Sequence, residues 1–218
     1  MSWEKDYLSV RRQMVETQLR LRRIKDPGVL AAMGEVPREL FVPFDRQGQA
    51  YADSPLPIGF GQTISQPYVV ALMVEQLRCD GDCRVLDVGA GSGYQTAVLA
   101  RLARWVYAAE RISELTRRAE DALATMGVDN VTFATRDGSL GWPEEAPFDR
   151  IICGAAAPDV PPAWIEQLAD GGRIVAPVGG PATQMVLVLE KNGEKISRRQ
   201  VCGVRFVKLI GAQGFQGD

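Results

Sequence analysis

Apolar positions recur at helical spacing through the first part of the chain, then condense into short apolar runs separated by helix-like stretches. Leu8, Val15 and Leu19 predict a helix over residues 5–21, ending in a basic cluster. Asp26-Pro27 reads as an N-cap and a first-turn proline, opening a short helix through Val29, Leu30 and Met33. The proline-rich passage from Val36 to Gly59 keeps no period and predicts an irregular segment, of a length usual for a lid or substrate loop. Another helix begins at Ser65-Gln66-Pro67 and runs to Leu77. It places Thr63, Ile64 and Ser65 at a helix N-terminus, where free backbone N–H groups favour an anion.

From Arg84 onward strands and helices alternate. Strands are predicted over residues 85–88, 106–109, 131–134, 150–153 and 173–176, with helices over 94–103, 114–126 and 162–168. Residues 184–189 and 196–207 read as two strands joined at Asn192-Gly193, a strong hairpin signal. The pattern predicts an α/β fold: a doubly wound, mostly parallel sheet with helices on both faces and antiparallel strands near the C-terminus. No linker divides it. Residues 1–218 are expected to form one domain, with a helical and substrate-loop subregion over 1–80 and the sheet core over 81–218.

The most informative stretch is Val85-Leu86-Asp87-Val88-Gly89-Ala90-Gly91-Ser92-Gly93-Tyr94. A strand, a glycine turn and a helix form a nucleotide crevice at the carboxyl edge of a parallel sheet. A dinucleotide fingerprint would put its third glycine at position 94; here it stands at Gly93. Asp87, just before the turn, would repel a pyrophosphate and favour a cationic ligand. S-adenosylmethionine, a sulfonium nucleoside without phosphate, is such a ligand. Glu110 ends the next strand about twenty residues on, where a carboxylate accepts ribose hydroxyls. Taken singly, a glycine-rich loop and a solvated acid are ordinary features; their order favours the ligand site.

Composition narrows the chemistry. The chain has 218 residues, 46% hydrophobic and 24% charged, with a net charge of −2. That balance leaves no electrostatic footprint for nucleic acid or membrane, and a cytoplasmic monomer is expected. The early basic residues, from Arg11 to Lys25, are interleaved with Glu16 and fit a solvated helix face. No leader or membrane-spanning run is visible. Cys79 and Cys83 have no second pair to complete a zinc site, and the four cysteines are expected to be reduced thiols. Histidine is absent, which excludes His-based triads and His-ligated zinc. Methyl transfer to a group already ionised at neutral pH needs no imidazole base.

Further motifs accompany the glycine turn in order. They are Val36-Pro37-Arg38-Glu39 with Phe41-Val42-Pro43, Leu56-Pro57-Ile58-Gly59 and Gly61-Gln62-Thr63-Ile64-Ser65-Gln66-Pro67. Then come Asp137-Gly138, Gly141-Trp142-Pro143-Glu144, Ala146-Pro147-Phe148-Asp149, Ala155-Ala156-Ala157-Pro158 and Pro177-Val178-Gly179. With these the chain resembles, over nearly its whole length, the bacterial protein-L-isoaspartate O-methyltransferases. The resemblance implies a Rossmann-like methyltransferase that takes S-adenosylmethionine and acts on isoaspartyl-containing proteins and peptides. Such enzymes methylate the free α-carboxylate of the isoaspartyl residue; the ester closes to a succinimide, which partly reopens as aspartate.

The resemblance also implies site roles. Ser65 is the active-site residue, read here as a donor that orients the substrate carboxylate, with Thr63 and Ile64 backbone N–H groups assisting. A helix cap is the plainer role for Ser65. Asp87, Gly89, Gly91 and Ser92 belong to the methionine side, Glu110 to the ribose, and Asp137 and Gly138 to the adenine amine, with Gly93 also among the cofactor-binding residues. Asp137-Gly138 is equally an ordinary turn dipeptide, and Trp142 is expected to pack beneath the pocket. Arg136, Gly154 and Lys208 depart from the family's usual glycine, threonine and proline. The alternative function is a related carboxyl methyltransferase acting on aspartyl side chains of a dedicated peptide partner.

Overall fold

The computed structural model describes residues 6–180 and 182–217, so Lys5 lies outside the described part of the first helix. Helix α1 (Tyr7–Met14) is opened by Asp6, whose carboxylate accepts from the Ser9 N–H at 3.1 Å. It does not continue regularly to Leu21. The turns widen to a π-helix over Val15–Leu19 and tighten to a 3-10 turn over Arg20–Arg22, and Arg23 then ends the segment at φ 70°. The Thr17 hydroxyl donates back to the Gln13 carbonyl at 2.8 Å, a local bond of the kind that bends helices. Helix α2 (Pro27–Glu35) starts as expected, with the Asp26 side chain accepting from the Val29 N–H at 2.9 Å.

The passage after α2 is less irregular than its composition predicts. It holds 3-10 turns at Arg38–Phe41 and Phe44–Gln49, then an antiparallel hairpin of β1 (Leu56–Gly59) and β2 (Gln62–Ile64). Leu56 and Ile58 alternate inward while Pro57 and Gly59 stay exposed. The pair is short and Pro57 lacks a ladder donor, so the strand signal is weak in sequence. Helix α3 (Pro67–Leu77) has Pro67 in its first turn and, at the N-cap, Gln66, whose side chain donates to Asp53 instead of capping the helix. Thr63 and Ile64 are therefore strand residues, paired with Pro57 and Leu56, rather than the end of a helix. Ser65 links β2 to the Gln66 cap and is not the cap itself.

Beyond α3 the alternation holds as β3 (Arg84–Val88), α4 (Tyr94–Ala100), β4 (Trp105–Glu110), α5 (Ser113–Thr125), β5 (Val131–Thr135), β6 (Phe148–Cys153), α6 (Pro162–Gln167) and β7 (Leu168–Gly179). The chain then forms β8 (Gln184–Asn192) and β9 (Lys195–Val204). Asn192 pairs with Lys195, so the hairpin turns on Gly193 and Glu194, one residue later than the Asn-Gly signal places it. Gly193 supplies the positive φ of 59° that the first central position needs.

The sheet runs β5-β4-β3-β6-β7-β8-β9, parallel through β7 and antiparallel after it. Side chains alternate across it with the strand period of two. Val85, Ile152 and Val175 face one core, which holds the apolar sides of α2 to α5; Leu86, Ile151, Cys153 and Ile174 face another, built around Trp164 and Phe148. Strand order reverses at β3, whose neighbours β4 and β6 belong to opposite halves of the winding. In open α/β sheets a crevice forms outside the carboxyl ends of the strands at that point. No helix among the described residues is long and apolar enough to cross a membrane.

Candidate active site

The turn after β3 folds over β4: Gly89 N–H and Ala90 N–H both donate to the Ala109 carbonyl, at 2.8 and 3.3 Å. Gly89, Gly91 and Gly93 all have positive φ, at 72°, 56° and 84°. Their tasks differ. Gly89 and Gly91 line a cavity over the sheet edge. Gly93 lies behind it, where an added Cβ would come within 2.7 Å of the Ala119 Cβ on α5. It serves helix packing and is not among the residues that line the cavity.

Asp87 also sits one layer back. Its carboxylate is fully buried and accepts from Gln95 Nε2 and Thr96 Oγ1, both at 2.7 Å. Burial pushes it up to about 6, aided by the like charge of Glu110, although the hydrogen bonds from Thr96 and Gln95 favour the charged form. The side chain at the cavity wall is Gln95, which sequence reasoning missed. Glu110, by contrast, lines the cavity directly. Its Oε2 accepts from the Gly91 N–H and its Oε1 from the Ile112 N–H, each at 2.9 Å. Each oxygen keeps a further lone pair for a hydroxyl.

Gly138 lines the same cavity, and a Cβ there would fall 2.6 Å from the Val88 side chain. Its neighbour Asp137 is turned away. The Asp137 carboxylate accepts from Ser139 N–H (2.9 Å), the Ser139 hydroxyl (2.7 Å) and Ala212 N–H (2.7 Å). Burial opposes its ionisation, yet these bonds hold it below the usual carboxylate range. Asp137 thus anchors the C-terminal segment, whose residues 207–210 form the opposite wall of the cavity. Gln184 holds the same segment further back, bonded to both the N–H and the carbonyl of Phe206. Trp142 packs as expected, edge to face with Tyr107 at 5.7 Å.

Thr63 bridges two spaces. It lines the cavity above Glu110 and, with Ile64 and Ser65, the adjoining space bounded by Gly91, Ser92, Tyr94 and Gln95. Thr63 and Ser65 also border an outer groove formed with Gln66, Val69 and residues 203–206. The Ile64 side chain is turned into the core, so only its backbone is available to a ligand. Among the departures, Gly154 and Lys208 stand in the cavity wall. The Lys208 ammonium lies 5.9 Å from the Phe215 ring centroid. Arg136 bonds Glu144 at 3.0 Å and covers Trp142, while its N–H joins the Glu110 carbonyl at 2.9 Å.

The structure thus brings Thr63, Ile64, Ser65, Gly89, Gly91, Ser92, Glu110 and Gly138 to one cleft and sets Asp87, Gly93 and Asp137 behind it. Two walls of differing chemistry meet there: a glycine-lined nucleoside cradle and a short polar strand end.

Residues 9–214 match the family model described as Protein-L-isoaspartate(D-aspartate) O-methyltransferase (PCMT). A protein-L-isoaspartate O-methyltransferase of Methanoregula boonei is 52% identical over 94% of this chain and 95% of its own. That of Desulfosudis oleivorans is 50% identical over 96% and 95%. A solved protein-L-isoaspartate O-methyltransferase superposes with TM-score 0.83 at 28% identity, over 93% of this chain and 67% of that one. A Plasmodium falciparum structure, described as a putative enzyme of this name in complex with S-adenosyl-L-homocysteine, gives 0.79 at 26% identity over 92% and 98%. Alike in sequence to its relatives from end to end of the fold, and alike in architecture to the solved structures, the chain belongs to the protein-L-isoaspartate(D-aspartate) O-methyltransferase family.

Proposed function

We propose that this protein is an S-adenosylmethionine-dependent protein-L-isoaspartate (D-aspartate) O-methyltransferase. It transfers a methyl group to the free α-carboxylate of isoaspartyl residues in damaged proteins and peptides, the first step in their return to aspartate. The observation that carries this is the meeting of the two walls at Thr63, Gly89, Gly91 and Gly154, which line both adjoining spaces.

The cradle fits the cofactor. Side chains are missing where a ligand must lie close to the backbone, at Gly89 and Gly91, where an added Cβ would meet no protein atom closer than 3.6 Å. Glu110 offers acceptors for ribose hydroxyls, and the buried Asp87 lies behind the turn as a counter-charge for a cation. When bound, S-adenosylmethionine supplies an electrophilic methyl on a sulfonium, and its transfer to a carboxylate consumes both charges.

The chain's own residues have three tasks. Thr63, Ile64 and Ser65 hold the acceptor, with the Ser65 hydroxyl donating to one carboxylate oxygen and leaving the other free to react. A neutral donor suits a reaction that loses charge, because a cation there would stabilise the starting carboxylate more than the transition state. No group need remove a proton, since a carboxylate with pKa about 4 is ionised at neutral pH. The β1–β2 hairpin and residues 207–210 flank the cleft and limit water, so alignment is the protein's main contribution.

The test is transfer of labelled methyl groups to matched peptides carrying isoaspartate or aspartate. Label on the isoaspartyl peptide alone, lost under mild base, is the expected outcome. Equal labelling of both peptides would point to the aspartyl side-chain alternative, and no labelling would refute methyl transfer to such acceptors.

A further inference from the structure

We infer that Arg38 is a positioning residue that couples the acceptor wall of the cavity to its cofactor wall. The inference rests on Ser65 being the residue that orients the acceptor carboxylate.

Arg38 opens the 3-10 turn after α2 and has no exposed surface. Its Nε donates to the Ala50 carbonyl at 2.6 Å and its Nη2 to the Ser65 carbonyl at 2.7 Å. The face of the guanidinium lies on Tyr94, with Cζ 4.8 Å from the ring centroid. Ser65 and Tyr94 line the same space, one at the end of β2 and the other as the first residue of α4 after the glycine turn. A single rigid plate therefore holds the acceptor strand by its edge and the cofactor turn by its face.

The arrangement is not one that packing alone favours. Among the described residues Arg38 has no carboxylate as a hydrogen-bond acceptor, and its Nη1 has no hydrogen-bond partner. Burial lowers it to about 10, with Tyr94 and Tyr51 opposing, so it stays charged at neutral pH. A buried cation supported by carbonyls and tyrosines, with no carboxylate bonded to it among the described residues, is costly, and an apolar side chain of similar volume would fill the space more cheaply. What an apolar side chain lacks is the fork. One donor seats the fork on the Ala50 carbonyl, and the other, at a fixed spacing from it, holds the Ser65 carbonyl in place and with it the backbone from which the Ser65 side chain leaves.

The base of the fork is itself fixed. The Arg38 N–H donates to the Tyr51 hydroxyl at 3.2 Å; that hydroxyl also accepts from Arg11 Nε at 2.7 Å and donates to Glu39. Arg11 Nη2 completes the group with an ion pair to Glu39 at 3.0 Å.

The test uses the full chain with Arg38→Lys and Arg38→Ala. Hydrogen exchange with and without S-adenosylhomocysteine reads the coupling without any acceptor. In the wild type the ligand should slow exchange at residues 89–95 and also at 63–67; in Arg38→Lys only the first protection should remain. In kinetics, Arg38→Lys should lower kcat for an isoaspartyl peptide about tenfold, as expected for lost alignment, with KM for the cofactor little changed. Millimolar methylguanidine should restore part of the kcat of Arg38→Ala, while methylammonium should not. Protection at 63–67 that is absent in the wild type, or unchanged in Arg38→Lys, would overturn the inference. So would wild-type kcat in Arg38→Lys, or failure of both variants to fold. A wild type that shows the coupled protection but methylates no isoaspartyl peptide refutes the proposed function and leaves the coupling established.

Discussion

At Asp87 a carboxylate with no exposed surface meets two hydrogen-bond donors and is still pushed up to about 6. Its unfolded value is about 3.9, so the folded chain binds more protons between roughly pH 4 and 6. Stability contributed by this group therefore falls as pH rises through that window and stays reduced above it. Asp87→Asn should flatten that part of the profile, which urea midpoints of the two proteins at pH 4, 6 and 7.5 would read. An unchanged difference across the three pH values would contradict the burial argument. Ser65 is a separate case. Because Gln66 is the helix cap, Ser65→Ala should leave the melting temperature nearly unaltered while kcat/KM for an isoaspartyl peptide drops about 10- to 100-fold, the worth of one well-placed hydrogen bond. A parallel loss of fold and activity would return Ser65 to a structural role. The sequence places both residues correctly along the chain: an acid at a strand end, a serine before a proline-led helix. Depth is what it cannot carry, since Asp87 is covered only once α4 folds back and presents Gln95 and Thr96.

Among the elements, the α4–α5 contact depends on one missing side chain. Gly93 leaves no room between its backbone and Ala119, and its φ of 84° disfavours any Cβ. Gly93→Ala should destabilise by about 2–4 kcal/mol, combining overpacking with left-handed strain. Ala119→Gly, which by itself costs about 1 kcal/mol in mid-helix, should cost less when added to Gly93→Ala, because it relieves the clash; a double-mutant cycle from denaturant midpoints reads that coupling. Strict additivity of the two changes would mean that the clash with Ala119 contributes nothing. The strands and helices from residue 84 onward are legible because their periods are clean and each is bounded by glycine, proline or charge. The hairpin of β1 and β2 is not, for its alternation lasts four residues and includes Pro57. The widened turn at Val15–Leu19 escapes for a different reason: apolar spacing alone does not distinguish an α-helix from its π variant, and here Gln18 is held by the Tyr51 carbonyl at 2.8 Å, far along the chain.

Across the whole molecule, the cleft is assembled from segments that lie far apart in the chain. Gln62 and Thr63 lie in β2, ahead of the seven-stranded sheet, Gly89 and Gly91 follow β3, Glu110 closes β4, and residues 207–210 come after the last strand. The sequence announces the middle pieces through the glycine turn and the acid after it. The closing wall carries no motif of its own beyond its place in a family pattern; it is brought in by Asp137 holding Ala212 and by Gln184 holding Phe206. That wall has a temporal consequence. Every other part of the cradle is available once β6 has joined β3, but its last side awaits a segment some seventy residues beyond Asp137. Contacts of such long loop closure form late. On dilution from denaturant, far-ultraviolet ellipticity should therefore recover in an earlier phase than S-adenosylhomocysteine binding. A chain still emerging from the ribosome should remain unable to methylate anything until residue 210 is free. Simultaneous recovery of both signals would show that the wall folds with the sheet.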